Sequence, residues 1–423
     1  MKVHRHPTIF PLFFLLVLLG CEKTYLAEPE SSEQTKIGVS QYRTKEQVVA
    51  LATSSLSLIS GVPTKSCLAR EIESVQCLIK HGTKGDSAKE DTLVYVVNFK
   101  NNDGFSLISA KKNKTPILAV TESGHYDLNN GTGVEAVDFF LSAVCESQRF
   151  RPDDPIILDN YWDEINVADS CVTIMPTKWG QRDIYGQYCP NGISGCVATA
   201  LGQILAFKQM PASFVTTVAM GDDYVVGQTI SPGWSLIGQH VITHYDSLAC
   251  NPVHNQIGAL LREIGAQVSM SYNTNSSSAY ISNVPNLFSA WGINHGSSAN
   301  ANTTSMRNSI SNGCPVFMWG NNTNGVSAHA WVADGYKYYD IRRIWYGLVS
   351  SIPELIYAPI YEEIIKDQKL LHINWGWDGV CNGYFNFDCY DSSSAVQYDG
   401  ISNFVANSYT SVKMICNIGM NNN

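Results

Sequence analysis

Two short segments carry residue types that can do chemistry together. They are Ser194-Gly195-Cys196-Val197-Ala198-Thr199-Ala200 and, 133 residues later, Ala328-His329-Ala330-Trp331-Val332. A thiolate attacks an acyl carbon. A neighbouring imidazole takes the thiol proton and later returns it to the leaving amine. A third segment, His372-Ile373-Asn374-Trp375-Gly376-Trp377, supplies an amide at Asn374 that could hold His329 in the useful tautomer, with Trp375 shielding that hydrogen bond from water. The tetrahedral oxyanion needs two donors. The backbone N–H of Cys196 is one, and Gln181, shortly upstream, is the candidate for the second. Each residue also has a plainer reading: a small core cysteine, a satisfied core histidine, a tryptophan-rich turn.

The elements that would position these groups are readable. Val197, Ala200, Leu201, Ile204 and Leu205 fall on one helical stripe that Met210-Pro211 ends. Cys196 then sits at a helix N-terminus, where unpaired N–H groups and the macrodipole favour an anion. Ala330 to Gly335 reads as a buried strand ending in a turn. Farther upstream, residues 44–60 carry apolar positions at helical spacing. Residues 92–99 and 105–110 read as a hairpin around Asn101-Asn102-Asp103-Gly104, residues 115–120 as a strand and 132–146 as a helix. From Arg149 to Asp169 the chain turns acidic and proline-containing, which predicts an exposed junction open to nicking.

Composition narrows the class. Hydrophobic residues make up 44% of the 423, so the chain is folded, with room for more than one domain. A net charge of −9 without a basic stripe argues against nucleic acid. Lys2 and Arg5 precede an apolar run from Ile9 to Leu19 that is short for a membrane span. The run ends in Leu18-Leu19-Gly20-Cys21, a pattern similar to the bacterial lipobox, with cleavage before Cys21 and lipid on that cysteine; an ordinary secretory signal is the alternative. Lipid would anchor the protein to the cell envelope or surface rather than thread it through a membrane. Of the twelve cysteines none forms a Cys-x-x-Cys pair, which speaks against thiolate zinc. His240 and His244, with His254 nearby, lack the glutamate of a zinc-protease helix. Neither metal nor cofactor is expected.

Several motifs occur together in one order: Trp179-Gly180-Gln181, Tyr188-Cys189-Pro190, Gly195 to Ala200 with Gln203-Ile204, His329 to Gly335, and Asn374 to Gly379 with Gly383-Tyr384-Phe385. In these the chain resembles the streptopain family of papain-like cysteine peptidases. The resemblance implies an α+β architecture, with a papain-like two-subdomain catalytic domain preceded by a small α+β prodomain. It also implies endopeptidase activity on protein or peptide substrates. By motif Cys196 is the nucleophile, His329 the base and Gln181 the oxyanion donor, while Asn374 and Trp375 support the histidine. Ser278 and Ala328 would line the substrate cleft. Residues 104–127 resemble the family's inhibitory propeptide. The expected organisation is a lipoprotein-type signal over 1–20, a tether and inhibitory prodomain over 21–165, and the peptidase over 166–423. The prodomain would be the intramolecular inhibitor, removed by an activating protease or by self-cleavage, with release of the mature enzyme.

Three departures stand out. Arg182-Asp183-Ile184 replaces a small glycine/proline turn, Ala328 stands where glycine commonly precedes the histidine, and about thirty residues are inserted between Tyr336 and Leu370, among them Arg342-Arg343-Ile344-Trp345-Tyr346. Two other functions fit Cys and His less well. A transglutaminase-like acyl transferase needs an acidic third residue, and a non-catalytic surface binding protein gives no reason for the intact Cys, His, Gln and Asn set.

Overall fold

The computed structural model describes residues 40–59, 70–80, 91–148, 161–171, 175–239, 252–322, 328–350, 356–387 and 409–420. The signal, Cys21, His240 and His244 lie outside them. The N-terminal half opens with helix α1 (Lys45–Ser55), started by a capping box between Thr44 and Gln47. A four-stranded antiparallel meander follows: β1 (Ile72–Lys80), β2 (Asp91–Phe99), β3 (Phe105–Ser109) and β4 (Ile117–Thr121). Asn101 and Asn102 take left-handed backbone at the β2–β3 turn, which asparagine tolerates. Helix α2 (Glu135–Ser147) completes this part, and strand β5 (Tyr161–Cys171) lies on the way to the C-terminal part.

The C-terminal part has a helical lobe and a sheet lobe. Helix α3 (Cys196–Lys208) is the axis of the helical lobe, with β6 (Phe214–Val215), β7 (Thr229–Ile230), α4 (Trp234–Ile237), α5 (Pro252–Gln267), β8 (Ser271–Tyr272), β9 (Ser277–Ser278) and α6 (Val284–Ala290) around it. One apolar core built on Trp179, Leu201, Ile204, Leu260 and Phe288 holds it together. All ten residues from Val197 to Ala206 are buried, so α3 is covered on every side rather than along one stripe. The sheet lobe comprises β10 (Ala299–Asn300), α7 (Thr303–Ser311), β11 (Val316–Asn322), β12 (Ala328–Ser350), β13 (Ile356–Asn374), β14 (Gly383–Asn386) and β15 (Tyr409–Ile415).

The fold is thus α+β, and the expected hairpin, the strand after it and the helices are present, with β1 as a further strand that was not expected. The two parts are not separate bodies, however. A single sheet runs β1-β2-β3-β4-β14-β13-β12-β11-β15-β10, with β5 added alongside β12. The seam is the antiparallel pairing of β4 with β14, Thr121 opposite Gly383 and Ala119 opposite Phe385. Gly383 permits this approach, since a Cβ there would stand 2.4 Å from the Val120 carbonyl oxygen.

Two expectations need correction. No turn ends the histidine strand at Gly335, because the insertion extends β12 to Ser350 and returns as β13, forming one long hairpin. Nor is the acidic junction open throughout. Residues 161–171 form a strand against β12, and the Asp163 side chain is 1% exposed because two arginines face it. The expected boundary at 165/166 falls inside that strand.

Candidate active site

Cys196 is the first residue of α3, and Gly195 before it has φ 85°, a conformation that glycine adopts freely. A Cβ on Gly195 would also press on Met270 and Ser277, so the loop before Cys196 lies directly under the β8–β9 hairpin. Asn191 ties that hairpin down, donating to the carbonyls of Asn273 and Ser276 at 2.6 and 3.1 Å. Asn273 to Ser276 are thereby held as the turn between β8 and β9. Ser278 lies exposed on β9.

The loop that carries Gly180 and Gln181 meets the loop before Cys196 through its backbone carbonyls. The Ser194 N–H donates to the Gln181 carbonyl at 2.9 Å, and the Thr199 hydroxyl to the Gly180 carbonyl at 3.2 Å. Gln181 thus lies beside the turn that presents Cys196. Burial pushes the Cys196 thiol above its ordinary pKa. The N–H groups of Ala330, Val197 and Cys196 itself oppose that shift, and the Glu135 carboxylate at the start of α2 adds to it. Helix α3 packs on β12, and Cys196 lies against the core that includes Ala330, the residue after His329.

His329 stands on β12 opposite Gly320, while Ala328 pairs with Asn321 at the strand's first position. The described hydrogen bond of the His329 ring runs from Nε2 to the Trp375 carbonyl, at 3.4 Å. The ring stacks over Trp331 at 6.3 Å, and Trp331 in turn packs on Trp375. Burial pulls its pKa down to about 4, a single neutral carbonyl opposing. An imidazole so lowered is neutral at physiological pH.

Asn374 does not reach His329 in this structure. Its amide donates to the Thr177 carbonyl at 2.8 Å and to Gln203 Oε1 at 3.0 Å, and its own oxygen accepts from Gly376 N–H at 3.1 Å. Gln203 Oε1 also accepts from Trp179 N–H. The pair links α3, the 177–179 segment and the turn that presents the Trp375 carbonyl. Sequence reasoning gave Gln203 no role, although an amide inside an apolar helix was the available signal.

The N-terminal part packs on that same turn. Phe140 of α2 lies 6.3 Å from Trp375 and 5.0 Å, edge to face, from Phe385. Ser123 donates to the Gly379 carbonyl, and Glu122 N–H to Asn382 at 2.7 Å. Glu122 also accepts from His372 Nε2 at 3.1 Å and pairs with Lys178 at 3.0 Å, while His372 Nδ1 meets Asp334 at 2.5 Å. Burial alone would lower the His372 pKa, but Asp334 and Glu122 outweigh it and hold it well above the ordinary value. Burial would raise Glu122, but His372 and Lys178 hold it well below the usual carboxylate range. This cluster was missed as well. Its signal is the spacing of His372 and Asn374, two apart and so on one face of a strand. Among the described residues no three His, Cys, Asp or Glu side chains gather as a metal site.

Comparison with known proteins gives a consistent picture. Residues 179–385 match the peptidase C10 family, and residues 39–147 match the Spi protease inhibitor family. Streptopain of Streptococcus pyogenes serotype M1 is 22% identical over 427 residues, which span 92% of this chain and 95% of streptopain. A Prevotella intermedia prointerpain A fragment aligns at 19% identity and a TM-score of 0.49, covering 80% of this chain and 98% of the fragment. Active interpain A from the same organism aligns at 19% identity and a TM-score of 0.38, covering 59% of this chain and 95% of interpain A.

Proposed function

Because the chain belongs to the peptidase C10 family and carries a Spi-type inhibitor region ahead of its peptidase region, we propose residue roles for a cysteine peptidase made as a proenzyme. Cys196 is the nucleophile. Its thiolate attacks the scissile carbonyl, and the C–N bond breaks to leave a thioester that water hydrolyses. His329 takes the thiol proton and delivers it to the leaving amine. The Cys196 N–H and Gln181 hold the oxyanion. Asn374 supports His329 through the turn it shares with Gln203 and Gly376, and Trp375 covers the ring. Ser278 and Ala328 flank the substrate.

The observation that carries this reading is the packing of α3 on β12, with Cys196 against the core that holds Ala330, which sets the histidine strand against the helix that begins at Cys196. Latency follows from the surroundings of His329. Its ring is desolvated and bonded to a backbone carbonyl, and the element packed on that turn is α2 of the prodomain. Activity then requires the prodomain to leave and His329 to face the thiol. The Lys2-Arg5 and Leu18 to Cys21 pattern supports export with a lipid on Cys21, which would hold the proenzyme at the cell envelope until the junction is cut. No helix among the described residues is long and apolar enough to cross a membrane.

The test is hydrolysis of a denatured protein by the full chain before and after limited proteolysis, beside the Cys196→Ala chain and an epoxide thiol inhibitor. Cleavage that appears only after processing and disappears in both controls is the expected result. Equal activity in the unprocessed chain would remove the latency claim, and activity in the Cys196→Ala chain would remove the nucleophile.

A further inference from the structure

The long hairpin of β12 and β13 gives the insertion a task. From Tyr336 opposite Cys171 to Trp345 opposite Tyr161, the hairpin pairs with β5, the strand that connects inhibitor to peptidase. The acidic side chains of the junction meet arginines on the way. Glu164 pairs with Arg342 at 3.0 Å and Asp169 with Arg307 at 2.6 Å, both at the surface. Asp163 is held differently. Arg343 donates to both of its oxygens, at 2.8 and 3.0 Å, and lies 3.9 Å over the Tyr161 ring. Arg43, just ahead of α1, approaches the same carboxylate at 3.8 Å. The three side chains are 5% exposed or less. Gln47 donates to the Tyr161 carbonyl at 2.5 Å, and the Tyr161 hydroxyl to the Lys112 carbonyl at 3.1 Å.

We propose that the inserted hairpin is a clasp on the junction, with Arg343 as its catch. It closes residues 161–171 to proteolysis in the proenzyme, and it keeps β5 as a strand of the peptidase after maturation. A protease binds its substrate as an extended segment with free backbone groups. A strand already paired along its length must first detach. The bidentate, buried Arg343–Asp163 contact fixes geometry as well as charge, whereas the exposed pairs at Glu164 and Asp169 contribute little. The inference rests on the proenzyme reading for the identity of the junction and for the self-matured N-terminus; digestion by an added protease and amide exchange test the clasp without it.

The full Cys196→Ala chain is digested with a glutamyl endopeptidase, and fragments are followed by intact mass. Cutting after Glu71, exposed and outside any strand, gives the internal rate. Cutting after Glu164 is expected to be slow in this chain, at least about 10-fold faster with Arg343→Ala, and changed less than about 3-fold with Arg342→Ala. Cutting after Glu164 as fast as after Glu71 in the Cys196→Ala chain itself overturns the clasp, as does an unchanged rate in Arg343→Ala. Should Arg343→Ala fail to fold, Asp163→Asn keeps the shape and removes the charge, and the same acceleration after Glu164 is expected. Two readouts need no substitution at the clasp. Amides of 161–171 are expected to exchange slowly in the Cys196→Ala chain, and the N-terminus of the self-matured enzyme is expected ahead of Tyr161. Exchange at unprotected rates, or a mature N-terminus after Tyr161, overturns the proposal.

Discussion

Two histidines on adjacent strands of one sheet have opposite fates. His329 on β12 is desolvated against Trp331 and a lone carbonyl, and its pKa falls to about 4. His372 on β13 is more completely buried, at 2% exposure, yet two carboxylates flank it and its pKa rises. Burial therefore does not decide the charge; the partners do. The residue proposed as base has no charged partner among the described residues. The residue away from the chemistry holds both its protons and joins the inhibitor, through Glu122, to the peptidase.

The sharpest break in this comparison is functional. His329→Ala is expected to lower kcat/KM of the processed enzyme by on the order of 10³-fold or more, while urea unfolding of the proenzyme shifts little. His372→Ala should do the reverse to the proenzyme, leaving Asp334 buried without its cation and costing about 3–5 kcal/mol of stability in urea titration of the Cys196→Ala chain. A loss below about 1 kcal/mol there would show that the cluster is not the joint described. Glu122→Gln touches only the inhibitor's end of the joint. It should weaken docking by about 1–3 kcal/mol and hasten self-processing correspondingly, read as the time to half-conversion on a gel.

The smallest effect expected is the pH dependence of proenzyme stability. His372, raised in the folded chain, contributes fully below the ordinary histidine value of about 6.5 and loses that contribution as pH climbs through its raised value. Glu122, depressed in the folded chain, contributes above about 4.5 and loses that contribution as pH falls through its lowered value. His329 is held neutral by burial, so it destabilises the folded state progressively as pH drops below about 6.5 toward 4. Thermal midpoints of the Cys196→Ala chain should thus peak near pH 6–7. Adding His329→Ala should flatten the acid limb. Adding Glu122→Gln should lower the midpoint throughout the neutral range and leave the two limbs closer together in height.

How much of this was legible depends on range along the chain. The capped helix α1, the Asn-Asn hairpin and the start of α3 are local, and periodicity with turn chemistry pointed to each. The order of motifs around Cys196, His329 and Asn374 pointed to the chemistry. Contacts between distant segments were not legible: β4 against β14, Glu122 against His372, Asp163 against Arg343. Polar residues that look like surface in sequence become interior when a partner hundreds of positions away covers them, and Asp163 is the plainest case. The bond expected between Asn374 and His329 is replaced here by bonds to Gln203 and Thr177, because the amide of Gln203 faces it across the lobes.

Gly383 belongs to the peptidase by sequence, yet the atoms that exclude a side chain from it belong to the inhibitor: the Val120 carbonyl at 2.4 Å and Thr121 Cα at 2.6 Å from where a Cβ would stand. Once the inhibitor has gone, that crowding goes with it. The finished enzyme would therefore carry a vacancy shaped by a neighbour it no longer has. The constraint on this position is set in the chain's earliest stage, before the enzyme has met any substrate.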